Sequence, residues 1–196
     1  MLAAPSRRAG VFIDESWFVL WPRQAESWAR RRRPLAIPKN KSWRHQDRPP
    51  SCALYAGMDV ASHEVSAQWR PTWNQEETWA HLQGVIEGYA QAGTRYLVVF
   101  WDNGPWHTAG SIARRIAAHN RQAKQEGGVR VKLFYLPVKA PWLMPLEPVF
   151  GQTKRAVGTK GRRNLAELQA AVDHRLYRRN ARVRNHPPHP MARQSA

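Results

Sequence analysis

The sequence predicts an α/β domain, a mixed five-stranded sheet flanked by helices. Three observations predict it. Five apolar runs carry the β-branched and aromatic residues of strands. The first three lie close enough in sequence to pair as an antiparallel meander. The later ones are separated by stretches of helical periodicity, as crossovers between parallel strands require.

The elements follow in order. Residues 11–20, from Val11 to Leu20, read as the first strand. A basic, Pro-containing loop then runs past Arg30, Arg31, Arg32, Arg33 and Pro34 to Pro49 and Pro50. Residues 52–59 and 64–70 read as two strands joined by a turn around Ala61, Ser62 and His63. Asn74 is placed to cap a helix. Glu77 lies three residues on, as in a capping box, and Trp79, Leu82, Ile86 and Tyr89 recur at helical spacing up to Gly93. The continuous apolar run from Arg95 to Trp101 fits a strand buried on both faces, as in a parallel arrangement. A helix from near Thr108 to Gly127 and Gly128 precedes an alternating strand over 129–136. After a Pro-rich turn, a short helix begins near Leu146. Leu165, Leu168, Val172 and Leu176 mark a final amphipathic one. The organisation expected is an N-terminal extension over 1–9, one folded domain over 10–180, and a basic, Pro-rich disordered tail over 181–196.

Charge carries the first functional information. Lys and Arg number 31 against 14 Asp and Glu, a net charge of +17 and a pI near 11.3. Such an excess points to a polyanionic partner, most commonly nucleic acid. The basic groups expected to contact DNA phosphates are Arg30–Arg33, Lys139, Lys154, Arg155, Arg162 and Arg163, together with the Arg-rich segment 175–184. One cysteine, Cys52, excludes an internal disulfide framework and any multi-cysteine zinc site. No apolar run approaches a membrane span, and the N-terminus lacks the apolar core of a signal peptide. The location expected is cytoplasmic, associated with the nucleoid.

Acids are scarce, so their positions carry weight. Asp14 sits within the first apolar strand, Asp102 directly follows the buried run, and Glu147 opens a helix. A carboxylate beside a hydrophobic strand is costly to desolvate unless a positive group pairs with it. A divalent cation is one such partner, and strand ends are where α/β sheets bind ligands. Period-two alternation puts Glu15 on the opposite face from Asp14. Placement alone leaves a second reading open. In it Asp102-Asn103-Gly104-Pro105 is an ordinary turn, Asp14 an arginine partner, and Glu147 a charge favoured by the helix dipole.

The segment from Val98 through Asp102 and Asn103 to His107 resembles the second-aspartate motif of mariner-superfamily DDE transposases, particularly their bacterial insertion-sequence branch. There an apolar strand is followed by Asp-Asn and, a few residues on, a His. The segment from Leu136 and Pro137 through Pro141, Pro145 and Glu147 to Phe150 resembles the third motif: Leu-Pro, Ser-Pro, then Leu-Asn-Pro-Ile-Glu and an aromatic. Val11 to Ser16 resembles the first, an apolar strand ending Asp-Glu-Ser, and Ser27-Trp28-Ala29 matches a Trp-Ala pair that follows it. The three motifs stand in order over about residues 10–157. Two positions depart from the pattern: Met144 replaces the usual Asn, and Ala140 a common Ser.

The resemblance implies an RNase H-like fold and a metal-dependent nuclease and strand transferase. Its ligand and catalytic set would be Asp14, Asp102 and Glu147, holding two Mg²⁺ (or Mn²⁺) ions about 3.5–4 Å apart. Asn103 and His107 would support that set. The partners implied are transposon ends and target DNA. A homodimer on paired ends is expected, with a separate helix-turn-helix module, since the modules that precede the domain in this family are missing from the sequence. Two alternatives are an inactive remnant that only binds nucleic acid, and another RNase H-like nuclease such as a resolvase or a ribonuclease acting on hybrids.

Overall fold

The computed structural model describes residues 8–20, 50–104, 110–138, 140–158 and 162–187. Five strands form one sheet in the order β3-β2-β1-β4-β5. They are β1 (Arg8–Val19), β2 (Ser51–Asp59), β3 (Val65–Arg70), β4 (Tyr96–Trp101) and β5 (Arg130–Tyr135). β1, β2 and β3 pair antiparallel, as the expected meander requires, and β4 and β5 extend the sheet in parallel from β1. Among the described residues four α-helices pack on it: α1 (Gln75–Gln91), α2 (Gly110–Glu126), α3 (Leu146–Gly158) and α4 (Leu165–Asn185).

Alternation along β1 divides the interior in two. Val11 and Ile13 face α1 and α2, where Leu82, Ile86, Ile112 and Ile116 close over Leu97, Val99 and Trp101. Phe12 and Phe18 face the other way, into a core that α3 and α4 complete with Leu146, Phe150, Leu168, Val172 and Leu176. The helix start at Asn74 is as expected, its side chain accepting a 2.8 Å bond from the Glu77 backbone N–H. Asn164 repeats the arrangement for α4 with Glu167. The β2–β3 turn is built on Asp59, whose carboxylate accepts from the Ala61 and Ser62 N–H groups, while His63 takes the left-handed conformation at φ 57°.

Both sheet edges are fastened by an asparagine. Asn180 of α4 binds the N–H and the carbonyl of Val65 on β3, at 3.0 and 2.7 Å. Asn120 of α2 does the same for Val131 on β5, at 2.7 and 2.8 Å. Each closes a pair of backbone groups that an edge strand otherwise leaves open to another chain.

Three expectations differ in detail. β1 begins at Arg8, inside the expected N-terminal extension, and α4 continues to Asn185, past the expected boundary at 180, because Asn180 is one of its docking residues. A 3₁₀ turn over Pro141–Leu143 occupies the Pro-rich connection, where proline at the first position fits a turn that needs no N–H there. No helix among the described residues is long and apolar enough to cross a membrane.

Candidate active site

Strand pairing brings the first two acids together. In the parallel β1–β4 ladder Phe12 stands opposite Phe100; Asp14 and Asp102 each lie two residues beyond that pair, and both line one cavity. By alternation the two phenylalanines share the face of the acids above them, and their rings stack 4.8 Å apart. Glu147 arrives from across this face, in the first turn of α3, a helix that packs against β1 and β2. Asp14, Asp102 and Glu147 all line one cavity of about 320 Å³, walled by Leu136, Pro137 and Met144. Glu15 is not among its lining residues; it pairs across the sheet with Tyr55, as alternation requires.

The three carboxylates occupy different environments. Asp14 is 8% exposed, paired across the sheet with the fully buried Ala56. Burial is the largest cause that pushes its carboxyl up to about 8, and the charges of Glu15, Glu147 and Asp102 add to it. A 2.9 Å bond from the Glu15 N–H works in the opposite sense and fixes the carboxylate against the strand. Asp102, half-buried, accepts a 3.0 Å bond from the Gly104 N–H, which sets the turn after β4. Glu147 is exposed at the helix tip.

Around them the support is mostly backbone. Asn103 donates its side-chain N–H to the Leu136 carbonyl, and the Leu136 N–H binds Trp101 at 2.8 Å. These bonds tie the loop after β4 to the connection after β5. The turn that presents Glu147 is closed by bonds from the Met144 N–H to Pro141 and from the Glu147 N–H to the Met144 carbonyl. Met144 itself is 3% exposed and packs in the core under α3. An apolar anchor therefore stands where the motif has asparagine. Sequence reasoning read Met144 as a departure and missed this packing role; its place beside Leu146 was the available signal.

Of the other expected site residues, His107, Lys139 and Arg30–Arg33 lie outside the described residues. Lys154 lies over the Phe18 ring at 5.5 Å, and Arg163 pairs with Glu167 at 2.8 Å. Arg155 is exposed and Arg162 half-buried.

As a donor set, three carboxylates offer the hard oxygen ligands that Mg²⁺ and Mn²⁺ favour. Burying Asp14 among like charges is a cost that a divalent cation offsets. Among the described residues no three His, Cys, Asp or Glu side chains stand close enough together to hold one metal ion. The fit is therefore one of chemistry and placement.

Comparison with solved structures gives the fold a family setting. A Mos1 transposase paired-end complex with left transposon end matches at a TM-score of 0.60 and 17% identity, over 87% of this chain and 50% of that one. The mariner Mos1 paired end complex with Mg matches at 0.59 and 15%, over 90% and 54%. The Mos1 Strand Transfer Complex matches at 0.58 and 16%, over 89% and 52%. The chain thus spans about half the length of these proteins, and shares with them an RNase H-like fold. No curated protein sequence matches. The family model of the DDE superfamily endonucleases matches residues 10–169, a span that contains all three acids, and the chain belongs to that family.

Proposed function

We propose that this domain is the catalytic core of a cut-and-paste transposase, cleaving DNA at an element's ends and joining them to target DNA. The observation that carries this reading is the convergence of Asp14, Asp102 and Glu147 on one cavity, in a chain of this family. Two divalent ions, Mg²⁺ or Mn²⁺, when bound supply charge stabilisation for the attacking and leaving oxygens of an in-line displacement.

The residues divide the work. Asp14, held by the sheet and the Glu15 N–H, is the rigid ligand. Asp102, just beyond the end of β4 and braced by Gly104, is its partner. Glu147 completes the set from the helix, where its charge is also favoured by the dipole. Asn103 holds the Asp102 loop. A water attacks the phosphodiester at the end of the element and releases a 3′-hydroxyl. That hydroxyl then attacks a phosphodiester of target DNA, breaking one P–O bond as it forms another. The +17 charge supplies affinity for the duplex. In this reading His107 supports the Asp102 loop, Lys139 and Arg30–Arg33 add to the DNA contacts with Lys154, Arg155, Arg162 and Arg163, and a homodimer served by a separate helix-turn-helix module presents the paired ends.

Nicking of an end-containing duplex with Mg²⁺ tests it. Asp14→Asn, Asp102→Asn and Glu147→Gln each remove several kcal/mol of transition-state stabilisation, a loss of about 10³-fold or more, with duplex affinity retained. Variants that nick as well as the parent would refute the assignment. A parent that binds duplex and never nicks it would leave only the binding role.

A further inference from the structure

Arginines line a second cavity, which the acidic site does not use. It is about 320 Å³ in volume and lies between α3 and α4, lined by Gln152 of α3 and by Arg175, Arg178, Arg179 and Arg182 of α4. The four arginines recur at i, i+3, i+4 and i+7, so one helix face presents them all. Among the described residues no carboxylate lines the cavity. Ion pairs elsewhere among the described residues include Arg70–Glu77, Arg115–Glu76, Arg163–Glu167 and Arg184–Glu64, and none of these involves the four.

A helix C-terminus attracts cations, but that attraction fades within the last turn. α4 ends at Asn185, so it accounts for Arg182 and leaves Arg175, Arg178 and Arg179 unexplained. Arg179 is the most constrained. Half-buried, it donates to the His63 carbonyl at 2.7 Å and to Asn180 at 3.3 Å, both neutral acceptors. Four guanidiniums gathered around one cavity repel one another, and an anion is what makes their convergence favourable. Phosphate suits them, since guanidinium forks bind its oxygens two at a time.

We propose that the α3–α4 cleft is a phosphodiester-binding site that grips the backbone of duplex DNA next to the active site. The proposal rests on the DNA-cleaving reading of the acidic cavity. α3 joins the two places: Glu147 stands at its tip and Gln152 in the cleft, a rise of about 7.5 Å. The two exposed positions also differ by about 140° around the axis, so a duplex straddling the solvent side of α3 would bring one stretch of backbone to the acids and a neighbouring one to the arginines.

The test measures duplex binding by fluorescence anisotropy in EDTA, from low to physiological salt, so that cleavage plays no part. Arg178→Gln/Arg182→Gln, both exposed positions, should weaken binding about tenfold or more for any sequence. The slope of log K against log salt should fall by about 1.8 for two lost phosphate contacts. Arg178→Lys/Arg182→Lys should keep most of the slope. As a control, Arg114→Gln/Arg121→Gln removes two exposed charges from α2, on the other face of the sheet, and should have much the smaller effect. Equal losses from both pairs would mean a diffuse field and overturn the site. Displacement of the duplex by inorganic phosphate at constant ionic strength, as complete as the cleft substitutions produce, would assign the cleft to free anions instead. Cleft substitutions that impair binding to phosphatidylserine vesicles but not to duplex would assign it to a lipid surface. If the cleft variants bind like a parent that still nicks, this inference falls and the active-site reading stands. If the Asp14→Asn variant still nicks while the cleft variants lose affinity, the reverse holds.

Discussion

His81 makes the stability of this fold depend on pH in a way that one substitution should remove. The ring is 2% exposed on α1 and packs against Tyr55 of β2, with centroids 5.5 Å apart. Burial, then the charge of Arg70, holds its protonation down to about 4 from 6.5, against a bond to the Ala56 backbone that works the other way. The folded state therefore keeps His81 neutral where the unfolded chain protonates it. Its stabilising contribution is fully present above 6.5 and is lost as pH falls toward 4. Near pH 5 the unfolded histidine is mostly charged and the folded one mostly neutral, a loss of about 2 kcal/mol relative to pH 7 at about 1.4 kcal/mol per unit. For a chain of this size that lowers Tm by roughly 4–8 °C. Asp14 acts in the opposite direction: its carboxyl, raised to about 8, withholds stability at neutral pH that returns on acidification. The informative quantity is therefore a difference. Urea unfolding in EDTA at both pH values, for the parent and for His81→Gln, should show a parent that loses about 2 kcal/mol more than the variant. Equal losses in the two proteins would refute a neutral, buried His81.

Asn180→Ala should cost about 2 kcal/mol by removing both bonds to Val65, read as a Tm drop of about 4–8 °C, while the same change at an exposed site on α4 such as Arg178 should cost little. Asn103→Ala should lower kcat for nicking about tenfold or more and leave duplex Kd unchanged, because it frees the Asp102 loop from Leu136 without touching a charge. Loss of affinity with kcat intact would assign Asn103 to DNA contact instead.

Most of the fold was legible because its signals are local. Asn74 and Glu77 announce a helix start through a bond three residues long, and the alternation of Val11, Phe12 and Ile13 records two buried faces. The uninterrupted run Leu97–Trp101 records a strand with neighbours on both sides. Asn180 and Asn120 were illegible for the converse reason. Each bonds a backbone more than ten residues away, and nothing in either helix distinguishes a docking asparagine from a solvated one.

The acids divide in the same way. That Asp14 and Asp102 stand side by side follows from two strand patterns and a parallel register, all inferable in outline from the residues. The arrival of Glu147 depends on which face α3 packs against, and that is decided by Leu146, Val149 and Phe150 meeting β1 and β2. Those apolar residues flank the acid, so burying them fixes where its backbone points. A substitution such as Phe150→Ala, deep in that core and itself uncharged, thus acts on the same geometry as a change at Glu147 itself, through packing instead of chemistry. The strength of the acidic site is in this sense a property of the hydrophobic face beneath it.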